Sequence, residues 1–181
     1  MTMHNIATAN ITTNTNPVSF TNIPQNYTHL QIRYNARASF AGQSASMYIV
    51  FNNISGGSDY SYHQVAANGT GTLGRWSAAN ATAPVMISAI PAATGLANTF
   101  GAGIIDIFDY SSTTKRKMYK ALIGQNQNAT VQGLVGLAGG QPLTIAASTP
   151  ITQIDVYFDG TAVNGSTFSL YGITSTDRAG A

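Results

Sequence analysis

The sequence predicts an all-β protein, an antiparallel β-sandwich of jelly-roll character with roughly eight to ten strands. Three observations carry this expectation. Several segments alternate apolar and polar residues with a period of two, the pattern of strands buried on one face. No stretch carries a capped 3.6-residue apolar stripe, and 18 glycines work against long helices. Turn clusters such as NNISGGSD, IPAATG and DGTAVNG separate the apolar runs. Alternation with one polar face favours antiparallel pairing.

In chain order, Met1 to Asn16 is the least patterned stretch and reads as an extended arm or an edge strand. HLQIRYNAR then gives the cleanest strand, with Leu30, Ile32, Tyr34 and Ala36 on one face and His29, Gln31, Arg33, Asn35 and Arg37 on the other. MYIVF from Met47, PVMISAI from Pro84 and GIIDIFDY from Gly103 are rich in β-branched or aromatic residues and bounded by turn formers, so they also read as strands. A helical turn or two is expected only between Gly71 and Ala83. In QIDVYFD, Ile154, Val156 and Phe158 alternate with Asp155, Tyr157 and Asp159, and in STFSLYGI Phe168 and Leu170 oppose Ser169 and Tyr171. Neither an internal repeat nor a composition break divides the chain, so residues 1–181 are expected to form one domain.

Composition narrows the function. Charged residues make up 8% of the 181 residues, against about 25% in ordinary soluble domains, and all six acids are aspartates. A surface wetted mainly by Asn, Thr, Ser and Gln is cheap to desolvate, which suits dense packing against other subunits. The plainer alternative is a secreted β-domain that simply uses uncharged polar residues. With a formal net charge of +2 the chain has no broad basic field, so nucleic acid and anionic membrane are not expected partners. No window approaches the ~20 consecutive apolar residues of a spanning helix, and a soluble protein is expected. The start MTMHNIATAN lacks the basic and apolar regions of a secretory signal.

Catalytic chemistry finds little support. The absence of cysteine excludes disulfides, thiolate zinc sites and a Cys nucleophile. His4, His29 and His63 are scattered and show no metal-ligand spacing. Asp106 with Asp109 and Asp155 with Asp159 are too sparse for a calcium loop, and Asp109 and Asp159 are better explained as turn formers. Neither a G-x-S-x-G elbow nor a phosphate-binding loop is present. The expectation is a non-enzyme without cofactor or metal.

Two clusters remain as candidate contacts. Lys115, Arg116 and Lys117, with Tyr119 and Lys120 behind them, form the only concentrated charge and read either as a partner patch or as a solvated hairpin end. Tyr60, Tyr62 and His63 could grip a sugar or a flat partner surface, or Tyr60 and Tyr62 could be half-buried residues on one strand face.

Four segments together carry a resemblance: FTNIPQNYTHLQIRYNAR, MYIVFNNISGGSDYSYHQV, IIDIFDYSSTTKRKMYKALIG and STFSLYGI. The chain resembles a family of small β-rich structural proteins of tailed bacteriophages. In that family's pattern Ile23-Pro24 and Tyr27 to Leu30 match an early S-I-P-x-x-Y-x-x-L strand. Phe51-Asn52 and Tyr60-Ser61 match a central F-N-G…Y-S segment, Asp109-Tyr110 through Lys115 a D-Y-x-x-T-x-K hairpin, and Leu170 to Ile173 a closing L-Y-G-I. Where relatives carry a G-L-W segment, this chain has the loop GLAGGQPLTIAASTP, and its one tryptophan is Trp76. The resemblance implies a virion structural protein on the outer particle surface, made in the host cytoplasm. A decoration or cement protein that bridges capsomers is the first expectation, bound to the major capsid protein or other virion proteins and self-associated, with a trimer suiting capsid threefold positions. The alternative is a tail-tip, baseplate or head-fibre module that binds host glycans.

Overall fold

The computed structural model describes residues 2–68, 71, 73–83, 85–126 and 133–174, with side chains left out of the description at 85–89. Within them lie twelve strands and no helix: β1 (Thr2–Asn10), β2 (Val18–Phe20), β3 (His29–Ala36), β4 (Ser44–Phe51), β5 (Tyr60–Asn68), β6 (Leu73–Ala81), β7 (Val85–Pro91), β8 (Gly101–Phe108), β9 (Met118–Gln125), β10 (Leu134–Pro142), β11 (Ile154–Phe158) and β12 (Thr167–Thr174). An eight-stranded sheet runs β1-β12-β3-β8-β9-β10-β5-β6, and a four-stranded sheet runs β2-β11-β4-β7. Every pairing is antiparallel. The sandwich is therefore the expected one, with more strands than the apolar runs alone announced.

The inner faces follow the period-two reading closely. Leu30, Ile32, Tyr34 and Ala36 of β3 are buried, and so are Ile154, Val156 and Phe158 of β11 and Phe168 and Leu170 of β12. They meet Met47, Ile49 and Phe51 of β4 in one core cluster. Phe168 links the layers, contacting Tyr34 in its own sheet and Phe158 in the opposite one.

Of the two readings of the N-terminal stretch, the edge strand holds: β1 pairs with β12. Three other readings change. The segment from Gly71 to Ala83 holds β6 where a helical turn was expected; its residues pair with β5, and ladder hydrogen bonds outweigh local propensity. Residues taken as a Gly-rich loop form β10, an interior strand between β9 and β5. One of its glycines has a steric reason: a Cβ at Gly140 would sit 2.2 Å from the Ser61 carbonyl oxygen and 2.9 Å from the Tyr119 ring. Asp155, assigned to a solvent face, is buried beside Gln153, whose Nε2 donates to both carboxylate oxygens at 2.9 and 3.2 Å. The run from Pro84 holds β7, and Pro84 itself lies outside the described residues.

Motifs at opposite ends of the chain meet here. The Tyr27 ring lies on Gly172, the glycine of LYGI, so closely that a Cβ there would be 2.3 Å from the ring. Glycine is thus needed for close approach, with the aromatic ring covering its bare backbone. Gly172→Ala is expected to cost about 2 kcal/mol, because Tyr27 must leave its seat. A fall in the urea midpoint without a change in slope is the readout.

Candidate interaction face

The residues singled out by sequence divide sharply once placed. Tyr60 is 0% exposed; its hydroxyl accepts from Phe51 N at 2.9 Å and donates to Ile54 O at 2.8 Å. Burial pushes its pKa up to about 12. Tyr60 is therefore a core residue with no surface to offer a glycan. Tyr62 packs half-buried against the same core, while His63 is exposed on the opposite side of β5. The two tyrosines share an inward face and form no exposed stacking platform.

The basic run does not act as one patch either. Lys115 is exposed and ion-paired to Asp109 at 3.4 Å. Arg116 donates Nη1 to Leu143 O at 3.1 Å. Lys117 is only 1% exposed, and its Nζ donates to three backbone carbonyls, Ser112 O at 2.7 Å, Lys115 O at 3.2 Å and Ala147 O at 2.6 Å. Lys117 is thus a buried pin between two loops and cannot serve as a partner contact. Arg37 plays a comparable part that sequence reasoning missed: Nη1 donates to Leu96 O and Thr99 O, and Nη2 to Ala92 O and Gly95 O. Two of the few cations therefore hold loops in place.

Asp106, Asp109, Asp159 and His29 are likewise engaged. Asp106 accepts from Gln31 Nε2 at 2.7 Å and pairs with Lys120 at 3.5 Å. Asp159 accepts from Ser46 N and Tyr48 Oη, and Asp109 turns the chain at a φ of 51° while its amide donates to His29 Nδ1. That bond requires the proton of neutral His29 to sit on Nε2. Among the described residues no three His, Asp or Glu side chains converge as a metal site.

What remains available is the outer face of the eight-stranded sheet. The registers align one ladder row across all eight strands: Thr8, Ser169, Arg33, Ile104, Leu122, Leu137, Val65 and Arg75. Its first part is polar, and Thr8 and Ser169 hydrogen-bond side chain to side chain at 3.0 Å. From Ile104 to Val65 it is aliphatic. The neighbouring row, Ala102, Gly124, Val135, Ala67 and Leu73, extends this apolar ground. Val135 is 63% exposed, Leu122 54% and Leu137 45%.

With strands about 4.8 Å apart, the two rows span an apolar area on the order of 300 Å². The largest contiguous apolar patch of a monomeric protein is of about this size and is often functional. The row beside it is polar: Asp106 and Lys120 pair across β8 and β9, and His63 and Ser77 lie opposite one another on β5 and β6. A trace of this face was legible in MYKALIGQ, where Met118 and Leu122 are apolar on the face opposite Tyr119, Ala121 and Ile123. An antiparallel strand that is apolar on both sides needs cover on both sides.

A smaller polar groove lies at one end of the sandwich, lined by residues that include Asn26, Tyr27, Thr28, Asp109 and Lys115. A scan against models of known protein families, a search of curated proteins and a search of solved structures each found no match to this chain.

Proposed function

We propose that this chain is a structural protein of a tailed bacteriophage virion, seated on the outer surface of the head as a decoration or cement protein. The observation that carries the reading is the exposed aliphatic stripe on a sheet with very few charges. At about 25 cal/mol per Å², burying 300 Å² of apolar ground contributes roughly 7 kcal/mol, comparable with the cost of association itself. Cover by a partner therefore needs added polar contacts, and the uncharged Asn, Thr and Ser around the stripe supply them at low desolvation cost. The ordered motifs of the phage family support the same reading. In this role the sandwich bridges neighbouring capsomers through the major capsid protein, alone or as a trimer, and resists outward pressure mechanically.

The polar groove beside Tyr27 and Asp109 favours a second reading, a tail-tip, baseplate or head-fibre module that binds host glycans, since an aromatic ring beside a carboxylate suits a sugar. Copy number in purified particles separates the two. A stoichiometry comparable with that of the major capsid protein supports cement; a few copies per particle supports the tail or vertex; absence from the particle overturns both.

A further inference from the structure

We infer that the aliphatic stripe on the outer face of the large sheet docks onto a different protein, one that presents an apolar ridge flanked on both sides by carboxylates, and not onto a second copy of this chain. The inference rests on the virion reading and deepens it by giving the chemistry of the partner.

The first argument is charge. The eight strands of the sheet carry three cations, Arg33, Arg75 and Lys120, and a single acid, Asp106. Lys120 neutralises Asp106 at 3.5 Å. Arg33 and Arg75 are left without an ion pair among the described residues, although Arg33 Nε donates to Gln31 Oε1 and its guanidinium lies 5.6 Å from the Tyr171 ring centroid. These two arginines bracket the stripe in its own row. Arg33 is paired with Ile104 at one end and Arg75 with Val65 at the other.

The second argument is symmetry. A two-fold face-to-face dimer matches the patch with itself. An axis along the strands through the middle of the stripe sets Arg33 against Arg75 of the other copy. An axis across the strands sets each arginine against its own equivalent. Both arrangements place like charges together over a desolvated patch, and such juxtaposition suppresses a wrong partner. An axis oblique to the strands keeps the arginines apart but still offers them no acid, since Asp106, the one acid in the strands of the sheet, is paired with Lys120. A partner with carboxylates at both ends satisfies both arginines, which favour bidentate carboxylate contacts. From β3 to β6 there are five strand intervals, so its acids are spaced about 24 Å apart across the ridge.

The test uses purified full-length protein added back to particles grown without it. Leu137→Lys and the milder Leu122→Asn alter exposed side chains, and circular dichroism and melting temperature verify that each variant folds. Each is expected to weaken rebinding by roughly tenfold or more. Arg33→Glu with Arg75→Glu is expected to slow rebinding and flatten its salt dependence, with the two Arg→Lys changes retaining part of it. Thr8→Lys, on the polar end of the row, should rebind normally. If wild type rebinds and the Leu and Arg variants rebind equally well, the docking face is wrong while the virion reading stands. If wild type does not rebind and is absent from native particles, the virion reading falls and this inference with it. If wild type sediments as a dimer that Leu137→Lys dissociates, the occupant is a second copy and the proposal is overturned.

Discussion

Raising the pH of the purified protein from about 9 to about 12 is expected to unfold it in one cooperative step. Tyr34, Tyr60 and Tyr119 are buried, and burial raises the pKa of each above the ordinary tyrosine value of 10.0, to about 12 for Tyr60. Among the described residues the hydroxyls of Tyr34 and Tyr119 have no hydrogen-bond partner to stabilise a phenolate. A folded pKa above the unfolded one means that the folded state holds its protons longer. The stabilisation from these groups is therefore fully present below pH 10 and is lost as pH rises towards their folded values. At about pH 12, two units above the unfolded value, Tyr60 alone favours the unfolded chain by about 2 kcal/mol, and the buried Tyr34 and Tyr119 act in the same direction. Against a total domain stability of about 5–15 kcal/mol, three such groups acting together are a large perturbation. The last part of the tyrosinate absorbance to appear should coincide with the change in circular dichroism. Ionisation of all nine tyrosines with the dichroism unchanged would show that the three buried rings are reachable by solvent.

Lys117→Met is expected to destabilise the fold by about 3 kcal/mol, even though methionine fills similar space. The change removes three charge-assisted hydrogen bonds and leaves the carbonyls of Ser112, Lys115 and Ala147 without this donor. For a chain of this length that loss corresponds to a fall of about 9 °C in melting temperature. Lys117→Arg should restore little, because the planar guanidinium does not fit a cage shaped for a compact ammonium. Lys115→Met, at an exposed ion pair, serves as the control and should change stability by less than about 1 kcal/mol. Equal melting of wild type and Lys117→Met would mean that the loops hold themselves.

Strands with one apolar face could be read before folding, as β3, β11 and β12 show, because period two survives wherever one side meets the core. β10 and β6 could not. In β10 Gly140 is required by the approach of the Tyr119 ring and the Ser61 carbonyl, and together with Gly136 and Gly139 it erases the apolar signal of an interior strand. β6 is an edge strand made largely of small and polar residues, and its place is fixed by pairing with β5. Two of the candidate contacts, Tyr60 and Lys117, are ruled out for a different reason. Burial of Tyr60 and Lys117 depends on what the second sheet and the loops place over them, which no local pattern encodes.

The motifs behind the phage resemblance are largely devices of the fold. Tyr27 seats on Gly172, Tyr110 Oη bonds Pro24 O, Tyr60 ties Phe51 to Ile54, and Asn52 holds the chain at Pro150, Thr152 and Gln153. Beyond the trace in MYKALIGQ, the aliphatic outer face emerged from register, which aligned Ile104, Leu122, Leu137 and Val65 from four separate strands.

The most direct measurement is the copy number of this chain in purified virions, by quantitative mass spectrometry against the major capsid protein. The cement reading predicts a stoichiometry comparable with that of the capsid lattice. A count of only a few copies per particle, or none, would contradict it.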